Sequence, residues 1–172
     1  MQWDLLPPLV LKTSRMTVAG LLEPAYDVGG DCFDYALNDA SFEVAIFDPI
    51  GHGTRSALLA ALCVGSYRHD RRESASLEQI HENLDAALTS QFRDAVFATG
   101  QIARVDLRDG EMAWTNAGHP PPMLVRHGKV IDQLECEPTL PWGLGSLAAS
   151  DVPVASVVLE PGDSVLFYTD GV

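Results

Sequence analysis

The hydrophobic pattern divides the chain into short apolar runs, bounded by turn residues, and two longer stretches with helical spacing. Phe42-Glu43-Val44-Ala45-Ile46-Phe47 is short and rich in β-formers, which predicts a buried strand. A partner strand over 32–37 and a turn near Asn38-Asp39 would close residues 32 to 47 into an antiparallel hairpin. An earlier strand is predicted over 16–22, ended by Glu23-Pro24. Helices are predicted over 54–70 and 76–92, divided by Asp70-Arg71-Arg72-Glu73. Ser76 and Gln79 make a capping box for the second helix. Leu77, Ile80, Leu84, Leu88 and Phe92 then fall on one face, the stripe expected of a helix packed on a core.

Strands are predicted over 97–105, 112–116, 123–126 and 129–134, joined by turns at Arg108-Asp109-Gly110-Glu111 and His127-Gly128. The segment 135–150 carries Pro141-Trp142-Gly143-Leu144-Gly145 and predicts a loop, after which 152–159 and 164–169 complete the strands. A meander of strands after two consecutive helices favours an antiparallel α+β sandwich over a parallel sheet.

The glycines and aspartates at the strand ends add chemistry to this outline. Asp48 ends its strand and is followed by Pro49-Ile50-Gly51-His52-Gly53 and then a helix. Asp31 follows Gly29-Gly30, and the predicted hairpin would bring it beside Asp48. Asp170 ends the apolar run 165–169 and runs into Gly171. Glycines there let a ligand approach the backbone closely. Any one Asp-Gly step alone is equally a plain turn. Three carboxylates gathered at one place, however, repel each other unless cations lie between them. All-oxygen ligation favours hard ions such as Mg²⁺ or Mn²⁺, so a carboxylate-rich site for two divalent ions is expected. His52 and His119 fit hydrogen-bonded structural imidazoles or, alternatively, a proton donor to a leaving serine oxygen. Arg15 and Arg55 fit solvated surface positions or phosphate donors.

Length and charge narrow the function. With 172 residues the chain is one domain's worth, and a net charge of −13 argues against nucleic acid as a partner. Cys32, Cys63 and Cys136 form no CxxC pair and are expected to be buried thiols of a cytoplasmic protein. The N-terminus lacks the pattern of a signal peptide, and no apolar run approaches the roughly 18 residues of a membrane span. Residues 1–15 are expected to form an N-terminal arm or linker ahead of a domain over 16–172.

Four blocks now fall into a recognisable order: Gly29-Gly30-Asp31-x-x-Asp34, Asp48-x-x-Gly51-His52-Gly53, Asn116-Ala117-Gly118-His119-Pro120-x-Pro122, and Leu159-x-Pro161-Gly162-Asp163-x-x-Leu166-x-Tyr168-Thr169-Asp170-Gly171. In order and spacing they resemble the SpoIIE/RsbU-type metal-dependent protein serine phosphatases, the bacterial branch of the type 2C (PPM) phosphatases. The resemblance runs from about Leu21 to Val172. It implies a four-layer α+β sandwich, two antiparallel sheets packed face to face and flanked by helices. It implies two Mn²⁺ or Mg²⁺ ions held by Asp31, Asp48, Asp170 and the Pro49 carbonyl, with Asp34, Gly51, His52, Gly53 and Gly171 in support. Proline at 49 departs from the residues usual there but keeps its C=O. The family carries a further metal-binding aspartate beyond the Thr-Asp-Gly block, so the domain is expected to continue past Val172. The implied substrate is phosphoserine or phosphothreonine on an anti-sigma factor antagonist, a small STAS-domain protein. A homodimer stays open. The helix after Gly53 is expected to couple partner binding to metal affinity through residues 54–64.

Two rivals compete with this reading. One is a non-catalytic interaction or sensor domain of the same fold with an incomplete metal set. The other is an ATP-binding anti-sigma kinase, whose Asp-x-Gly-x-Gly box is loosely imitated by Asp48-x-x-Gly51-x-Gly53; strands rather than a helix precede Asp48 here, which opposes it.

Overall fold

The computed structural model describes residues 5–23, 29–92, 96–145 and 151–169. Chain order is β1 (Val10–Lys12), β2 (Thr17–Ala19), β3 (Cys32–Leu37), β4 (Ser41–Pro49), α1 (Thr54–Arg72), α2 (Leu77–Gln91), β5 (Ala98–Asp106), β6 (Glu111–Ala117), β7 (Met123–Arg126), β8 (Lys129–Gln133), β9 (Ala155–Val158) and β10 (Ser164–Leu166). The expected hairpin forms, with β3 and β4 antiparallel from Cys32↔Phe47 to Leu37↔Phe42.

Five strands form one antiparallel sheet in the order β3-β4-β5-β6-β9, and a smaller antiparallel sheet runs β10-β7-β8. Strand alternation sends successive side chains to opposite faces, and both faces of the larger sheet are covered. Phe47, Ala45, Ile102 and Ala117 pack under α1 and α2 with Leu59, Val64, Ile80, Leu84 and Leu88. Ala103, Met112 and Trp114 face the other way and pack with Leu124, Leu134 and Cys136. The molecule is thus an α+β sandwich of two antiparallel sheets, with both helices on the outer face of the larger one among the described residues.

Local signals account for the helices. Ser76 caps α2 by accepting from the Gln79 amide at 3.2 Å, and Gln79 Oε1 accepts from the Ser76 amide at 2.9 Å. The predicted stripe is core: Leu77, Ile80, Leu84 and Leu88 are buried and Phe92 packs beside them.

Two segments are more ordered than the sequence suggests. β1, within the expected arm, pairs antiparallel with β2. Ahead of it, the Pro8 carbonyl accepts from Tyr35 Oη (2.6 Å) and the Leu5 carbonyl from Arg68 (2.7 Å). The expected loop 135–150 is pinned where described: Trp142 exchanges two 3.0 Å backbone bonds with Ala98, and Asp85 Oδ1 accepts from the Gly143 and Gly145 amides at 2.7 and 2.8 Å. Trp142 is fully buried against Phe47 and His81. It fits because residue 100 is glycine; a Cβ there would lie 2.4 Å from the Trp142 ring and 2.3 Å from the Ile46 carbonyl.

Candidate metal centre

The site is assembled by the register of three strands. One residue beyond the Cys32↔Phe47 pair, at the open end of the hairpin, stand Asp31 and Asp48, and Asp48 lies opposite Thr99 of β5. Cys32 and Phe47 face the helices, so alternation directs Asp31, Asp48 and Thr99 to the opposite face of the sheet. Asp31 and Asp48 are half-buried there.

The backbone around them is closely fitted. A Cβ on Gly30 would lie 1.7 Å from Ser56 Oγ and 3.2 Å from the Pro49 carbonyl oxygen. The chain entering Asp31 therefore runs directly beside that carbonyl and beneath the first turn of α1. Ser56 Oγ is buried and finds no hydrogen-bond partner among the described residues. Gly51 and Gly53 adopt φ of +86° and +81°, a left-handed region costly for other residues, with open space where a Cβ would stand. Gly53 is also the N-cap of α1, and His52 between the two glycines is exposed.

Asp31, Asp48 and the Pro49 carbonyl are all hard oxygen donors, a chemistry that fits Mg²⁺ or Mn²⁺. No group of three or more His, Cys, Asp or Glu side chains able to hold a metal occurs among the described residues. Asp170 and Gly171 lie outside the described residues.

Asp34 has a different role from the expected one. It lies three residues from Asp31 and so on the opposite face, where it is buried and accepts from Arg68 Nη2 (2.7 Å) and Nε (3.1 Å), with Arg71 at 3.5 Å. This pairing ties β3 to α1. On the same helix Leu58 is exposed, while Leu62 packs against the core.

His119 is buried, and both ring nitrogens are engaged. Nε2 lies 2.9 Å from the Tyr168 carbonyl and Nδ1 lies 2.9 Å from Thr99 Oγ1. A carbonyl only accepts, so Nε2 carries a proton, and Nδ1 shares a hydrogen bond with the hydroxyl. The ring thus links Thr99 to the Tyr168 carbonyl. The Asn116–His119 turn is closed by the Asn116 side chain, which accepts from the His119 amide (2.7 Å) and donates to its carbonyl (2.9 Å), around Gly118 at φ +64°. Thr99, Ser56 and Arg68 carry no local sequence signal; only the pairing of β4 with β5 and the docking of α1 bring them to these places.

Solved structures that share this sheet sandwich are PP2C-type phosphatase domains. A sequence model of the family Stage II sporulation protein E (SpoIIE) matches residues 38–172, and the chain belongs to that family. Among curated relatives, the phosphoserine phosphatase RsbU of Bacillus subtilis is 24% identical over 99% of this chain and 50% of its own length. Protein IcfG of a Synechocystis strain is 23% identical over 99% of this chain and 31% of its own. The chain thus spans between about a third and a half of these relatives. Among solved structures, the RsbU and RsbW domains of a Mycobacterium tuberculosis protein align with a TM-score of 0.71 at 30% identity, over 87% of this chain and 41% of that one. The PP2C domain of SiaA from Pseudomonas aeruginosa aligns with a TM-score of 0.72 at 22% identity, over 95% and 65%.

Proposed function

We propose that this chain is the catalytic domain of a metal-dependent protein phosphatase acting on phosphoserine or phosphothreonine of a small regulatory protein, an anti-sigma factor antagonist of the STAS type. The observation that carries the reading is the register placing Asp31 beside Asp48, with the Pro49 carbonyl against the chain entering Asp31. Family membership and relatives named as phosphoserine phosphatases support the reaction class. A relative that carries RsbU and RsbW domains in one chain supports a substrate from the sigma-factor control circuit.

In this reading Asp31, Asp48, Asp170 and the Pro49 carbonyl hold two divalent ions, Mn²⁺ or Mg²⁺. Bound there, such ions supply an activated water for attack at phosphorus and neutralise charge on the phosphoryl oxygens. The residues of the chain hold and orient. Rigid strand ends fix the two carboxylates, and the open space at Gly51 and Gly53 leaves the backbone accessible to a phosphoryl group. Cys32 takes no part as a nucleophile: burial pushes its thiol well above the usual range, aided by nearby Cys63, Asp31 and Asp34, so it stays protonated.

The test is Mn²⁺ calorimetry on this chain and on Asp48→Asn, with hydrolysis of a phosphoserine peptide followed in parallel. Binding that disappears in Asp48→Asn together with turnover is the expected result. Equal binding by both chains would remove Asp48 from the site, and binding without turnover, even in a chain extended past Val172, would favour a non-catalytic interaction domain.

A further inference from the structure

The Asn-Ala-Gly-His block has no partner in the chemistry described so far, although its histidine is only 4% exposed. Its contacts give it a direction. Thr99 lies opposite Asp48 in the β4–β5 ladder, its hydroxyl bonds His119 Nδ1, and the far side of the same ring bonds the Tyr168 carbonyl. Tyr168 stands beyond the end of β10, whose ladder with β7 finishes at Leu166↔Met123, and two residues ahead of Asp170 in the chain. The block itself is held stiffly: Asn116 closes its turn from both sides, and Gln101 donates to the Pro120 carbonyl at 3.1 Å.

We infer that His119 is a positioning residue: through Thr99 and the Tyr168 carbonyl it sets the segment 164–169 against the end of the β4–β5 ladder where Asp48 lies. This rests on reading Asp31, Asp48 and Asp170 as metal ligands. Strands β4 and β10 belong to different sheets, and sheet-to-sheet packing is apolar and tolerant of sliding by fractions of an ångström. A metal site is not so tolerant, and a directional bond on each side of one rigid ring supplies what packing lacks. The carbonyl end of the link needs a donor at the Nε2 position, and the Thr99 end needs a polar atom at the Nδ1 position.

That asymmetry makes the test. In His119→Gln the amide nitrogen reaches the Nε2 position and can still donate to Tyr168; in His119→Asn the side chain meets Thr99 but stops short of Tyr168. Mn²⁺ affinity and amide hydrogen exchange of the peptide covering 164–169 are measured for both, with exchange in β4 and β5 as the internal control for folding. The expected result is a tenfold or greater loss of Mn²⁺ affinity and faster exchange over 164–169 in His119→Asn. His119→Gln, which keeps the bond to the Tyr168 carbonyl and loses the one to Thr99, should lose less affinity and protection than His119→Asn and match Thr99→Val, and β4 and β5 should be unchanged. Equal behaviour of the two variants, or parent-like affinity and exchange in His119→Asn, overturns the inference. Thr99→Val against Thr99→Ser repeats the comparison from the other end of the link, should the His119 variants fail to fold; valine should weaken binding and serine should not. A parent chain that binds no Mn²⁺ would instead sink the ligand assignment. The exchange measurement would then decide by itself whether His119 anchors the segment.

Discussion

Gly100 is tightly enclosed by the core around it. A side chain there would have to displace the Ile46 carbonyl on one neighbouring strand and the Trp142 ring at once, and the first is backbone within a ladder. Gly100→Ala is therefore expected to cost at least about 2 kcal/mol, the upper part of the range for overpacking a fitted core. A urea unfolding midpoint equal to the parent's would show that Trp142 can withdraw cheaply. The same scale separates Asp31 from Asp34. Both were visible in the sequence as acids of one block, yet strand parity sends them to opposite faces, one toward the candidate metal corner and the other to Arg68. Spacing alone could have disclosed this, since an odd separation along a strand reverses the face.

At the scale of elements, α2 is joined to the loop before β9 by polar contacts as well as by its apolar stripe. His81 Nδ1 meets Thr115 of β6, its Nε2 meets Thr139 of the loop, and Asp85 one turn on holds the Gly143 and Gly145 amides. Burial lowers the His81 pKa from 6.5 to about 4, against a smaller opposing pull from Asp85. Above pH 6.5 the imidazole is neutral folded or unfolded, and its contribution to stability is constant. Between 6.5 and 4 the unfolded chain takes up a proton that the folded one refuses, so stability falls as pH falls. The loss should reach on the order of 3 kcal/mol near pH 4. Unfolding midpoints at pH 7 and pH 5 should therefore differ, and by less in His81→Gln; the same drop in both chains would assign the pH dependence to other groups.

For the whole molecule, the acidic balance of the chain bears on the candidate site. A domain of net charge −13 with carboxylates gathered at one sheet end is stabilised by any cation that binds the folded state alone. Mn²⁺ at about a hundred times its dissociation constant should add about 2.7 kcal/mol to the unfolding free energy of the parent chain. Asp48→Asn should show little of this gain, and an equal gain in both would indicate general screening of charge instead of a site.

The sequence by itself determined the elements and their class. Turn residues, a capping box and the two hydrophobic periods are local properties, and they located the β3–β4 hairpin, both helices and the order of the later strands. The four motif blocks likewise carry the family resemblance on their own. Only the tertiary structure decided which residues meet across the sheets. β1 was hidden because three residues carry too little pattern, and the loop around Trp142 was hidden because its order comes from Gly100 and Asp85, far away in the chain. The link from Thr99 through His119 to Tyr168 joins three segments separated by long stretches of sequence. Periodicity reports which face a residue occupies, but a hydrogen bond depends on which residue of another strand stands opposite, and only register and packing fix that.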